Sequence, residues 1–423
     1  MTTPNPYLLS GIAKANDGYY EGAIVDYTAA LDADPENATA YAKRGIANYR
    51  LGRTADVIGD MTDLLRLDPD NLLAYFIRGA MHWHTGDYEA MIADYSAILQ
   101  RDPHNERAYY YRGLAYESDG NLGAALADYT EAICYLEEFP DAYHRRGVVQ
   151  ARMGDIDNAL ADFARVLDMK PDHKAALTNS GTAHLKKQQV DAAVEFFDKV
   201  LDIDPDNARA QAGRGAAFNE MKLYDAAISD FNAALANDPN NADLLTQRGI
   251  AHYRNRDYAA AAADLAAFDG DGDNPAGVYM LRGNANMRLR NYQQAVDDYS
   301  AALVHNDADA GAYQNRAGAH VRLGNFQQAV ADFTASIDIK PSTKAYINRG
   351  NTYAELGELN AAIEDYTRVI EVKPTADALT NRGILYMAQG SSAIAVADFE
   401  RALRIEPGHR NAKQQLAAAR NES

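Results

Sequence analysis

Residues 72–105 read LLAYFIRGAMHWHTGDYEAMIADYSAILQRDPHN, and this phrase decides the fold because the chain repeats it. Its glycine, Gly79, has counterparts at Gly11, Gly45, Gly113, Gly147, Gly181, Gly215, Gly249 and Gly283, each 34 residues apart. Ala317 takes the next place, and Gly350 and Gly383 follow after steps of 33. A fixed period of this length means one supersecondary unit copied and stacked.

With that glycine at position 8 of each unit, other positions fall into columns. Position 7 is Arg in ten units of twelve, from Arg44 to Arg382. Position 23 is Asp in eleven, from Asp26 to Asp398, and position 20 is mostly Ala. Position 24 is usually Tyr or Phe, as in Tyr95, Tyr129 and Phe163, and position 32 is Pro in nine units. Small residues at 8 and 20 let two helices approach, and aromatics at 4, 11 and 24 fill the space around them. Proline follows a helix end and precedes the next start, where its missing N–H costs least. Asp34-Pro35-Glu36-Asn37 places cap-forming side chains beside it. Gly at position 15 (Gly18, Gly52, Gly86) marks a turn inside the unit. Each unit therefore reads as helix–turn–helix without a strand, and the chain as all-α.

These columns resemble the tetratricopeptide repeat, as in Tyr75–Gly79–Tyr95–Pro103 and Tyr346–Gly350–Tyr366–Pro374. The resemblance runs over residues 4–409 and implies one right-handed superhelical α-solenoid of twelve repeats. Residues 410–423, with Ala412, Leu416 and Ala419 among polar residues, are expected to form a C-terminal capping helix. The resemblance further implies a concave groove that binds other proteins or peptides. It lines that groove with positions 2, 5, 6, 9, 12 and 13 of the first helices, most of which share one helical face by spacing.

A net charge of −19 disfavours nucleic acid and anionic membrane as partners. No apolar run spans a membrane and no signal peptide is visible, so a cytoplasmic location is expected. Cys134, the only cysteine, is expected to be a small buried residue on a second helix.

The units differ. Units 6–9 replace the position-15 glycine with Gln188, Lys222, Arg256 and Arg290. Unit 6 loses both Arg and Asp, which become Ser180 and Phe196, as an intra-unit pair would. Unit 1 has Ser10 at position 7 yet keeps Asp26, which is expected to be solvated. The second helix of unit 4 is expected to run longer, because Leu136-Glu137-Glu138-Phe139-Pro140 replaces the late proline. Unit 8 ends in Asp269-Gly270-Asp271-Gly272-Asp273-Asn274-Pro275, must lose about a helical turn, and makes 269–275 a candidate hinge.

On the groove face, units 2–4 carry Tyr49, Phe76, Trp83 and Tyr110, which read either as inter-repeat packing or as a binding patch. Asn179, Asn315, Asn348 and Asn381 all stand at position 6, and Asn284 and Asn351 at position 9. An Asn offers a donor and an acceptor together, matching the N–H and C=O of an extended peptide. The position-6 set resembles the asparagine ladder in the superhelix of O-linked N-acetylglucosamine transferase, and solvated filler is the other reading. Position 13 is basic in Arg254, Arg288 and Arg322, among others, either as helix-terminal cations or as a stripe that steers an acidic peptide. No three units match the carboxylate clamp of chaperone-binding relatives.

Asp269, Asp271 and Asp273 resemble the start of a calcium loop, but Met280 stands where its last carboxylate belongs. His82, His184, His252 and His320 at position 11 read as core histidines rather than metal ligands. No catalytic constellation, metal site or cofactor motif is visible. The chain is expected to be a non-enzymatic scaffold for protein or peptide partners. The alternative is an array that self-associates through the first repeat, where Leu8, Leu9 and Ile12 are expected to be exposed.

Overall fold

The computed structural model describes residues 5–268, 270 and 274–421. Among these residues there are helices and no strands. Twenty-five helices follow in chain order, from α1 (Pro6–Asn16) to α25 (Arg410–Asn421). Odd-numbered helices up to α23 (Ala376–Ala388) open a repeat, and even-numbered helices close it. The chain divides into two units, Met1–Gly213 and Arg214–Ser423, with the division inside α13 (Ala208–Glu220). Within each unit, contacts run from helix to neighbouring helix, the arrangement of an all-α solenoid.

The columns build each repeat as the sequence reading requires. Position-20 alanines such as Ala159 and Ala295 have no exposed surface, and the position-24 rings of Tyr95, Tyr129 and Phe163 are buried beneath the first helix. A Cβ on Gly147 would stand 2.7 Å from the Phe163 ring and 3.2 Å from the Ala159 carbonyl oxygen. The position-8 glycine is therefore the residue that lets the two helices of a repeat close on the aromatic. Asn37, Asn71 and Asn105 cap the next first helix by accepting from Ala40, Ala74 and Ala108 N–H groups at 2.9–3.0 Å. Pro140 and Pro275 occupy the first helical position of α9 (Pro140–Arg152) and α17 (Pro275–Arg288).

Arg and Asp meet within one repeat. Arg146 donates from Nε and Nη2 to the two carboxylate oxygens of Asp162 at 2.8 and 2.7 Å. Its third donor, Nη1, reaches the Thr130 hydroxyl of the preceding repeat. Thr28, Thr62, Ser96, Ser300, Thr334 and Thr367 receive the same contact from the following repeat's arginine. Each of these arginines thus ties two repeats, and the Arg146 guanidinium also lies over the first-helix Tyr143, 5.4 Å from the ring centre.

Several local expectations differ from the structure. Asp26 is not simply solvated: Lys14 at 2.7 Å and the Ser10 hydroxyl at 2.6 Å replace the missing arginine and hold its carboxyl below the usual range. Cys134, on α8 (Leu122–Tyr135), is exposed rather than buried, at a position that is Gln100 and Asp168 in the adjoining repeats. That helix has 14 residues, as most second helices do, so the missing proline does not lengthen it. Leu8 and Ile12 pack inward against the cores of the first two repeats, whereas Leu9 and Tyr7 stay exposed.

The second helix of repeat 8, α16 (Tyr258–Leu265), has only 8 residues, which is the shortening the acidic turn implies. Asp269, Asp271 and Asp273, and with them the calcium-loop reading and most of the candidate hinge, lie outside the described residues. Helix α25 buries Ala412 and Ala419 completely and packs Leu416 against Phe399 of α24 (Ser392–Ile405).

Candidate functional site

In Met1–Gly213 the face of the first helices divides the sequence's aromatic patch in two. Phe76 meets Tyr95 and Tyr111 edge-on, both at 5.3 Å, and Tyr111 in turn meets Tyr110 at 5.3 Å. Tyr110 also packs on Tyr129 and Phe139. These two residues belong to the inter-repeat core. Trp83 and Tyr49 do not join it: Trp83 is 41% exposed and touches Tyr88, and Tyr49 is 54% exposed without a ring partner. Only these two of the four present an aromatic surface to solvent.

Asn179, on α11 (Lys174–Lys186), spans three repeats. Its amide nitrogen donates to His144 Nε2 at 3.1 Å, and its oxygen accepts from Arg209 Nη2 at 3.1 Å. Burial, with His173, Arg145 and Arg209 nearby, pushes the His144 pKa down to about 4, so its ring is neutral and able to accept. Each end of the Asn179 amide therefore already carries one protein hydrogen bond.

The asparagines of Arg214–Ser423 are arranged differently. The Tyr299 hydroxyl donates to Asn284 Oδ1 at 2.8 Å, and Asn315 Nδ2 donates to the same oxygen at 3.1 Å. One period later but one, Tyr366 donates to Asn351 Oδ1, and Asn381 Nδ2 donates to the Tyr366 hydroxyl at 3.1 Å. Position 9 thus satisfies a buried tyrosine hydroxyl, and position 6 is steered by it. Asn315 and Asn381 keep Oδ1 without a protein partner, and Asn348 keeps its whole amide, among the described residues. All three are half-buried on consecutive first helices.

The basic residues of position 13 lean back on the preceding repeat. Arg254 lies 3.7 Å from Glu220. Arg288 lies over the Tyr258 ring, and Arg322 covers Tyr292 while donating to its hydroxyl at 2.8 Å. Position 17 is therefore a contact column that the groove columns did not include. Its signal was the tyrosine recurring at Tyr224, Tyr258 and Tyr292.

Position 11 faces the Asp of position 23. His82 and His252 place Nε2 3.9 Å from Asp94 and Asp264, and Asn48 and Asn286 donate to Asp60 and Asp298 at 3.0 and 2.9 Å. In repeat 6, which lacks that Asp, His184 stacks on Phe196 instead. No group of three or more His, Cys, Asp or Glu side chains suited to a metal occurs among the described residues. No described helix is long and apolar enough to cross a membrane.

With repeats, caps and pairs in place, comparison with known proteins assigns the family. Residues 15–52, 144–208, 217–275, 280–342, 343–375 and 375–405 match descriptions of the tetratricopeptide repeat, and the chain belongs to that family. Residues 60–139 match the bacterial transcriptional activator domain. That stretch keeps the same pairs, Arg78–Asp94 and Arg112–Asp128.

Among solved structures, the chain is similar to the anaphase-promoting-complex hetero-tetramer Cut9–Hcn1 at 14% identity, over 99% of this chain and 96% of that one, with a TM-score of 0.36. It is similar to PilF of Pseudomonas aeruginosa at 19% identity, over 54% and 98%, with a TM-score of 0.44. It is also similar to YrrB, described as a tetratricopeptide protein with an unusual peptide-binding site, at 24% identity, over 44% and 95%, with a TM-score of 0.39. No curated protein matches the chain.

Proposed function

We propose that this chain is a non-enzymatic, cytoplasmic scaffold that holds an extended peptide of a partner protein on the first-helix face of repeats 10–12. The observation that carries this reading is the row Asn315, Asn348 and Asn381. These amides occupy one position in three consecutive repeats, half-buried, with acceptors that no protein group uses among the described residues. Asn284 and the Tyr366 hydroxyl hold two of them in fixed orientation, so little side-chain entropy is lost when a peptide backbone binds. Arg254, Arg288 and Arg322 lie on the adjoining rim and favour an acidic partner. Exposed Trp83 and Tyr49 offer a separate apolar contact in the N-terminal unit.

The test is N315A/N348A/N381A, with binding measured to a partner isolated from the source cell. Affinity should be lost while helical circular dichroism is unchanged. Unchanged affinity removes the asparagine row from the account.

One observation favours a second reading, self-association through the first repeat. Tyr7, Leu9, Tyr19 and Val25 are each 51–66% exposed there. Light scattering across a concentration series separates the readings, because only self-association raises the mass with concentration.

A further inference from the structure

Repeat 2 departs from the other repeats along its second helix, α4 (Thr54–Leu67). Position 19 is acidic only here, as Asp56, position 22 is glycine only here, as Gly59, and position 26 is Asp63. The three share one helical face by spacing. A Cβ on Gly59 would meet nothing within 4 Å, so this glycine leaves open space rather than close packing. The space is a hollow of about 360 Å³ between α4, α3 (Ala38–Arg50) and α2 (Tyr20–Ala33). Asn48, Asp56, Asp60 and Asp63 line it, together with Arg44 and Arg53. None of its lining residues stands at positions 2, 5, 6, 9, 12 or 13.

The carboxylates of the hollow lack cations to answer them. Arg44 donates from both Nε and Nη2 to the single oxygen Asp60 Oδ1, at 2.9 and 2.7 Å. Among the described residues Asp60 Oδ2 accepts only from Asn48 Nδ2, at 3.0 Å. Burial, with Asp56 adding to it, holds the Asp60 carboxyl above the usual range in spite of Arg44. Arg53 turns away to both oxygens of Glu21 in repeat 1, at 2.7 and 2.8 Å. Asp63 has only Arg66, at 3.7 Å, and Asp56 has no cation within 4.0 Å among the described residues.

Asn48 is 3% exposed, and its Oδ1 has no hydrogen-bond partner, a costly state for a buried acceptor. Repeat 9 has the same asparagine and fills the same acceptor from within. Asn286 donates to Asp298 Oδ2 as Asn48 does to Asp60, and Asn291, at position 16, donates to Asn286 Oδ1 at 3.3 Å. Repeat 9 also carries Gln294 and Ala301 in place of Asp56 and Asp63. The unfilled acceptor and the extra carboxylates therefore occur together, in repeat 2.

We propose that this hollow binds a primary ammonium group, from a lysine side chain of a partner protein or from a free amine. An ammonium carries three rotatable donors and serves Asn48 Oδ1, Asp60 Oδ2 and Asp56 together, whereas a planar guanidinium fork suits a single carboxylate. Its charge also answers Asp63. The site shares no residue with the asparagine row, so it stands or falls apart from the peptide reading.

The test uses the full chain and a labelled peptide of alternating lysine and alanine, blocked at both ends and read by fluorescence anisotropy. D56N/D63N should weaken binding roughly tenfold, and D119N/D168N, an equal change of charge at two exposed positions of repeats 4 and 5, should leave it unchanged. R53N separates the site from general attraction of charge. It puts an asparagine where repeat 9 has Asn291, able to fill Asn48 Oδ1 from within. Binding should weaken in R53N although the hollow loses a positive charge. Tighter binding in R53N, unchanged affinity in D56N/D63N, or equal binding of a peptide with glutamine in place of lysine overturns the proposal. Displacement of the lysine peptide by equimolar 1,5-diaminopentane assigns the site to a free amine, and retention of the peptide assigns it to lysine within a chain.

Discussion

Arg146 and Asp162 show why single residues in this chain recur rather than vary. Their side chains are 18% and 7% exposed, and two parallel hydrogen bonds satisfy the carboxylate. Removing Asp162 strands a guanidinium in the repeat, so D162A should cost roughly 3–5 kcal/mol in chemical unfolding. A double-mutant cycle with Arg146 should give coupling above about 0.5 kcal/mol. Coupling near zero would contradict the intra-repeat pair. The pair was legible in the sequence because repeat 6 loses both partners, as Ser180 and Phe196. The third contact, to Thr130 of the repeat before, was not legible. It crosses the repeat boundary, and its partner varies from Thr62 and Ser96 to Asn232. Nor was Lys14, which makes Asp26 a paired group although position 7 is Ser10.

His144 belongs to the same scale. The folded chain keeps it neutral down to about pH 4, because burial and the cations around it oppose the charged form. An unfolded histidine takes up its proton near pH 6.5. Between these values the unfolded chain binds more protons, so stability is full above about pH 6.5 and falls as pH drops toward about 4. H144Q lacks the titrating ring, and its melting temperature should fall less steeply over that window than that of the natural chain. Parallel melting profiles would contradict this assignment.

At the scale of the element, the turn inside each repeat carries a visible cost. Gln188, Lys222, Arg256 and Arg290 keep the left-handed backbone that glycine adopts in the other repeats, with φ of 59–66°. Side chains pay for that conformation and glycine does not. Changing all four to glycine should raise stability by a few tenths to about 1 kcal/mol per site, additively, since the sites are distant. A lower urea midpoint would contradict it. The sequence showed the substitution but not its outcome, because a basic or amide residue could equally have remodelled the turn.

The contact between first and second helices gives a contrasting pair. Gly147→Ala drives a Cβ to 2.7 Å from Phe163 and 3.2 Å from a backbone oxygen, whereas at Gly350 the nearest atom is 3.3 Å away. G147A should cost about 1–3 kcal/mol and G350A clearly less, read from urea midpoints. Ala317, which stands at this position naturally and is fully buried, shows that a repeat can absorb the methyl. Equal costs would show that aromatic packing does not set the helix separation. Exposed Cys134 was legible at this scale, since position 29 of the second helix is Gln100 and Asp168 in the neighbouring repeats, a solvent-facing column.

For the whole molecule, the period made the family, the all-α class and the helix order legible, because each repeat states the same packing problem. What binds was less legible. Of the residues read from the groove columns, Phe76 and Tyr110 are core, Asn179 is bonded at both ends of its amide, and Asn315, Asn348 and Asn381 keep free acceptors among the described residues. The difference lies in neighbours from other repeats, which a column does not display. We also propose a weak joint after repeat 8, where α16 stops at Leu265 and an acidic stretch follows. Limited proteolysis should cut first between Asp269 and Pro275, and first cleavage elsewhere would remove the joint.

The central claim is that a partner lies along the first helices of repeats 10–12. Photo-crosslinking tests it most directly. One probe replaces Asn351, exposed on the first-helix face, and another replaces Val372, 72% exposed at the end of a second helix. The account predicts a crosslink to the partner from position 351 and none from position 372. A crosslink from 372 alone would contradict it.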